Sequence, residues 1–198
     1  MTDTKLSGRG RPRGFDIDEA LETGQRLFHA HGYEGVSLAM LTEALGIKPP
    51  SFYKAFGSKA EFFARVLEHY GHSSSALTLK ACLHSEHPPI QALAALLENA
   101  AHIYGRDPEQ RGCLVLETAC GSDQSESTAL ARYTAEQGQA QIREFIARTH
   151  PQAADQVTDY VISTLCGLSA SARKGMSEAR LVQVAQAATA GLEKLLAS

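Results

Sequence analysis

Helix starts and helix stops crowd together between Asp16 and Tyr70, and that spacing restricts the possible folds more than any other feature of the chain. Asp16, with Glu19 three residues on, is a capping-box signal ahead of the one-sided apolar run Ile17, Ala20, Leu21, Gly24, Leu27 and Phe28, and Gly32 supplies a left-handed stop. Ser37 caps a second helix through Leu38, Leu41, Ala44 and Leu45, and Gly46 ends it after barely two turns. Pro49 and Pro50 open a third, because the first turn of a helix has N–H groups with no intrahelical partner to lose. Phe52, Tyr53 and Phe56 follow, and Gly57 closes that segment. Ser58 and Glu61 repeat the capping box and begin a longer helix through Phe62, Phe63, Val66, Leu67 and Tyr70.

Beyond residue 80 the helical period continues, and no stretch alternates apolar and polar residues between hairpin turns. Breaks at His-Pro-Pro 87–89, Gly-Arg-Asp-Pro 105–108, Gly121-Ser122-Asp123 and His150-Pro151 leave helices expected at about 89–104, 109–120, 124–148, 152–173 and 177–196. The expected fold class is all-α: an N-terminal three-helix helix-turn-helix domain over residues 1–60, with a basic arm at 1–14 and the helix-turn-helix at about 37–56, followed by a helical bundle over 61–198.

The formal net charge of −3 is unevenly distributed. Lys5, Arg9, Arg11 and Arg13 face only Asp3 in the first thirteen residues, whereas eleven Lys/Arg stand against fifteen Asp/Glu after residue 60. Local charge decides where a phosphate backbone docks, so the arm and the helix-turn-helix are the nucleic-acid candidates. With 43% hydrophobic and 21% charged residues the composition is that of a globular protein. No apolar run approaches the roughly 20 residues of a bilayer span, and no apolar stretch follows the N-terminal basic residues, so a cytoplasmic protein without membrane contact is expected.

The short third helix is the expected reader of the major groove. Its first residues project toward base edges, which makes Pro49, Pro50, Ser51, Tyr53 and Lys54 candidate contacts, with Ser37 and Lys48 flanking them. Phe52 and Phe56 anchor it to the core. Ser51 can donate to or accept from base or phosphate, while Tyr53 and Lys54 suit phosphate oxygens. Lys59, in the first turn of the next helix, is placed to hold a phosphate together with free backbone N–H groups. Arg9, Arg11 and Arg13, interleaved with Gly and Pro, suit a backbone or a minor groove.

The segment VSLAMLTEALGIKPPSFYKAFGSKAEFF, with GYEG just before it, closely resembles the signature of the TetR family of bacterial regulators over roughly residues 14–70. A weaker likeness continues in RGCLVLETA. The resemblance implies a transcriptional repressor that binds a palindromic operator in double-stranded DNA as a homodimer. It further implies a four-helix interface built from two C-terminal helices of each subunit, and a cavity whose filling by a small-molecule inducer weakens operator binding. His102, Tyr104 and Glu117 are the residues it places at or near that cavity, and Cys113 is a further candidate for the pocket. Family members often carry Ser or Thr as the recognition-helix cap and Gly within the helix, where this chain has Lys48 and Pro50, so base preference does not transfer.

Independently of that likeness, Val157, Tyr160, Val161, Thr164, Leu165 and Leu168 form one apolar stripe, and Leu181, Val184, Ala185, Ala188, Leu192 and Leu195 another. Ser163, Gly167, Ala170 and Gly191 permit close helix approach. Tyr160, Thr164, Gly167, Leu168, Val184, Ala188, Leu192 and Leu195 are the candidate dimer contacts, although burial inside one subunit explains such stripes almost as well.

Cys82, Cys113, Cys120 and Cys166 include no C-x-x-C pair, so reduced thiols are expected. Cys113 and Cys120 could share a helix face and sense oxidants or electrophiles if a thiolate were stabilised; burial as ordinary core thiols is the competing reading. Cys82, His84 and His87, with His69 and His72 nearby, form too weak a pattern for a metal site. No nucleophile, base and orienter recur at a fixed spacing, and G-x-S-x-G, P-loop and H-E-x-x-H motifs are missing. A thiol-dependent enzyme is the remote alternative, and no metal or cofactor is expected.

Overall fold

The computed structural model describes residues 16–83, 86–121 and 125–197, which form helices joined by turns, with no strand among them. The arm residues Arg9, Arg11 and Arg13, and His84, lie outside the described residues. In order the helices are α1 (Ile17–Gly35), α2 (Leu38–Ala44), α3 (Pro49–Phe56), α4 (Lys59–His72), α5 (Leu79–Cys82), α6 (Pro89–Arg106), α7 (Leu114–Ala119), α8 (Glu126–Ala147), α9 (Ala154–Arg173) and α10 (Glu178–Leu196).

The N-terminal helices form where their caps are written. Asp16 accepts from the N–H of Asp18 at 2.9 Å, and Ser37 from that of Met40 at 3.2 Å. The Ser58–Glu61 box is complete in both directions, at 3.1 Å and 2.6 Å. Gly32, at φ 69°, breaks the helical path, but the chain regains a helical turn and α1 runs on to Gly35.

Two further expectations need correction. The helix foreseen at 109–120 starts only at Leu114. Asp107 accepts from the Glu109 N–H at 2.9 Å, holding a turn, and Gly112 then takes φ 79° beside Ser169 and Arg173, where a Cβ would lie 2.9 Å from the Ser169 carbonyl oxygen. The short α5, unforeseen in the sequence, folds back on α6 and α8.

α4 joins the two halves of the molecule. Its first turns pack Phe62, Phe63 and Val66 with Phe28, Leu41, Phe52 and Phe56 of the N-terminal helices, while Leu67 and Tyr70 enter the core of the C-terminal bundle. That bundle stacks α6 on α9 and α10, and α8 on α7 and α9. Leu93, Leu96, Leu97, Val161, Leu165, Leu168, Leu181 and Leu192 fill its centre.

The candidate DNA-reading surface and a cavity behind α4

The turn between α2 and α3 is set by Gly46. At φ 63° it lets its own N–H reach the Glu43 carbonyl at 3.1 Å and the Ile47 N–H reach that of Thr42 at 3.0 Å, a Schellman closure that turns the chain sharply into α3. Lys48 gives α3 no side-chain cap, and the first two helical positions are prolines. The Ser51 and Phe52 N–H groups both donate to the Lys48 carbonyl, at 2.9 and 3.1 Å, so any DNA contact at this helix end falls to side chains.

Two buried aromatics fix the orientation of α3. Phe52 and Phe56 lie 5.3 Å and 4.6 Å, ring to ring, from Phe62 of α4. With that face pinned, Ser51, Tyr53 and Lys54 emerge into solvent, as do Lys48, Pro49, Pro50 and Ser37. Tyr53 is 53% exposed, unusual for a large ring and appropriate for a contact surface.

Lys59 departs from the expectation of a phosphate ligand. Its ammonium donates to the carbonyls of Tyr33 and Val36, both at 3.0 Å, and sits 3.9 Å above the centre of the Tyr33 ring. The carbonyls just past the Gly32 break thus draw the charge inward, and Lys59 ties α1 to α4. Lys48 and Lys54 remain as the exposed cations of the reading surface.

A cavity of about 340 Å³ opens between α4, α5, α7, α8 and α9, with Leu67, Ala76, Leu116, Ile142, Ile162 and Leu165 supplying apolar wall. Tyr70, Tyr104 and Cys113, all nearly inaccessible, close one side. Tyr104 and Cys113, two of the candidate ligand-pocket residues, thus lie in the wall of this cavity. His102 does not belong there: it is exposed on the far side of α6, with Nδ1 2.7 Å from Glu178 of α10. Glu117 is turned away as well, forming an ion pair with Arg173 and lining a smaller cavity beside Cys120 and Cys166. Tyr70 was not foreseen; as an apolar-face aromatic of α4 it gave no sign that it lines this cavity.

Arg173 also donates to the His29 carbonyl of α1 at 3.1 Å, so one guanidinium spans α1, α7 and α9. Burial, and then the Arg173 charge, lower the His29 pKa to about 4. Burial raises the carboxyl of Glu117 despite Arg173 beside it. It also raises the Cys113 thiol, against the backbone N–H groups and tyrosine hydroxyls around the sulfur.

Of the candidate dimer contacts, Leu168 and Leu192 are 1% and 0% exposed inside one subunit and are core residues, not interface. The Tyr160 hydroxyl is likewise used internally, donating to the Ala188 carbonyl at 3.0 Å. Val184 is 45% exposed, and Gly167 has open space beyond its Cα. No helix among the described residues is long and apolar enough to cross a membrane, and none of their His, Cys, Asp and Glu side chains group as metal ligands.

Comparison with known proteins bears on the whole chain. Residues 20–66 match the family model described as "Bacterial regulatory proteins, tetR family". The chain is 39% identical to the HTH-type transcriptional repressor BdcR of Escherichia coli over 196 residues, covering 98% of each protein, and 29% identical to the repressor ComR of the same organism over 89% of each. Among solved structures it resembles a cysteine mutant of the TetR family transcriptional regulator CifR complexed with 26-bp double-strand operator DNA, at 32% identity and a TM-score of 0.77, covering 90% of this chain and 98% of that one. The helix-turn-helix, the bundle behind it and these likenesses agree: the chain belongs to the tetR family of bacterial regulatory proteins.

Proposed function

We propose that this protein is a transcriptional repressor which binds a palindromic operator as a homodimer and leaves it when a small molecule fills the cavity behind α4. The observation that carries the proposal is the division of α3 into a buried side, Phe52 and Phe56, and a solvent side bearing Ser51, Tyr53 and Lys54. Burying the aromatics offsets the cost of displaying the polar side chains rigidly, as a base-reading helix requires. That the similar regulator CifR is found complexed with double-strand operator DNA supports a DNA-binding role.

Dimerisation is assigned to the outer faces of α9 and α10. Ser163, Gly167 and Ala170 on one helix and Val184, Ala187 and Ala190 on the other are exposed and mostly small, which suits close helix packing between two subunits. A symmetric pair would set two copies of α3 about one DNA turn, roughly 34–36 Å, or a multiple apart, and so require a palindrome.

Release follows from the position of α4, whose start packs against α3 and whose end walls the cavity. A ligand that prefers a shifted α4 lowers operator affinity by its differential affinity for the two states. Cys113 serves here as a cavity wall: a buried thiol whose pKa is raised favours ligand occupancy over thiolate sensing.

Pull-down of genomic fragments by the full chain, followed by mobility-shift titration with and without metabolite extract, tests this reading. Enrichment of a palindrome whose shift the extract abolishes is expected. Absence of any enriched palindrome, or binding indifferent to salt, would overturn it.

A further inference from the structure

The ligand cavity has chemically distinct ends. Of its ionic and amide residues, Lys80, Gln137 and Gln141 are exposed and belong to the open side, and Gln139 is half-buried. The opposite side is formed by Tyr70, 2% exposed, Tyr104, 1%, and Cys113, 7%. The Cys113 sulfur, a weak acceptor, lies near both tyrosine hydroxyls and the Leu114 backbone approaches that of Tyr70, yet the buried Tyr70 hydroxyl oxygen makes no hydrogen bond of ordinary geometry. A poorly matched hydroxyl in an apolar chamber costs folding free energy, and a ligand atom that accepts from it recovers part of that cost on binding.

Resting on the inducer reading above, we propose that the cavity takes an uncharged carbonyl compound, with an apolar body against Leu67, Ile142 and Leu165 and its oxygen accepting a hydrogen bond from the Tyr70 hydroxyl. The occupant is neutral because no cation lines the closed side; Lys80, the one cation among the lining residues, is on the exposed side. A carboxylate carried to the tyrosines would lose its hydration with no countercharge to replace it. The occupant accepts, because a tyrosine whose pKa burial raises well above its ordinary value keeps its proton and offers it. A body of about ten non-hydrogen atoms suits the small end of the usual range of ligand pockets.

Three probes of nearly equal size discriminate the class: acetophenone, benzoate and ethylbenzene. Each is titrated calorimetrically into the full-length chain without DNA, and operator release is measured separately. Acetophenone is expected to bind at least tenfold more tightly than benzoate and about five- to tenfold more tightly than ethylbenzene, the range of one neutral hydrogen bond. In Tyr70→Phe, with folding checked by thermal melting, the advantage over ethylbenzene disappears. The wild-type ranking needs no variant and stands if Tyr70→Phe fails to fold. No saturable acetophenone binding, benzoate equal to or tighter than the ketone, or a ketone advantage that survives in Tyr70→Phe would overturn the proposal. The expected ranking without operator release would uphold the ligand class and sink the inducer role. Release by extract with a failed ranking would do the reverse.

Discussion

Acidification tests the junction between the two halves of the molecule through His29. The ring is 3% exposed, packs 5.5 Å from the Tyr70 ring, and has neither nitrogen in a hydrogen bond of ordinary geometry. Arg173 opposes a second positive charge there, while Asp107 and the Gly112 backbone favour it more weakly, and the pKa falls from 6.5 to about 4. Above pH 6.5 the ring is neutral in both folded and unfolded chains and its titration contributes nothing. Below that value the unfolded chain takes up a proton that the folded one refuses, so stability falls until the folded pKa is reached. From pH 7 to pH 5 the loss is about 2 kcal/mol, which lowers a urea midpoint by roughly 1 M for a slope of about 2 kcal/mol/M. Urea unfolding at fixed protein concentration, followed by circular dichroism at both pH values, measures it. His29→Leu removes the titrating ring and is expected to lose that part of the pH response while remaining at least as stable at pH 5. The carboxyl of Glu117, raised by burial, gives the opposite pH trend but is shared by both proteins and cancels in the comparison. Equal midpoint shifts in the wild type and His29→Leu would refute the reasoning.

Lys54→Ala is expected to weaken DNA binding across all sequences and flatten the logarithmic salt dependence by about one unit, measured by fluorescence anisotropy. Lys59→Ala should change that slope by less, and instead destabilise the fold by about 1–3 kcal/mol as the Tyr33 and Val36 carbonyls lose a charged donor. Gly167→Trp has open space in the single subunit and should give a folded monomer by analytical ultracentrifugation; an intact dimer would remove this face of α9 from the interface. Arg173→Met leaves Glu117 and the His29 carbonyl without their shared donor and should cost about 1–3 kcal/mol in thermal unfolding, with Glu117→Gln restoring part of the loss in the double variant.

The sequence alone determined whatever depends on residues a few positions apart. Caps act over three residues, glycine stops over one, and apolar faces over three or four, so the helix-turn-helix, the anchors Phe52 and Phe56 and the all-α class were legible before any coordinates. The same locality explains two failures: the seating of Gly112 and Cys113 against Ser169 of α9, which delays the start of α7, and short α5, which rests on α6 and α8.

How charges and hydroxyls are used depends on long-range packing, because their partners are remote in the chain. Arg173 meets His29 across 144 residues, Lys59 meets Tyr33 across 26, and His102 finds Glu178 across 76. Apolar periodicity reports which side of a helix is buried without saying what lies opposite. Leu168 and Leu192 therefore read equally well as interface and as core, and Tyr70 as plain packing. Three-dimensional closure made the leucines core and left Tyr70 in the wall of a cavity, since burial is settled by neighbouring helices and periodicity names only the face.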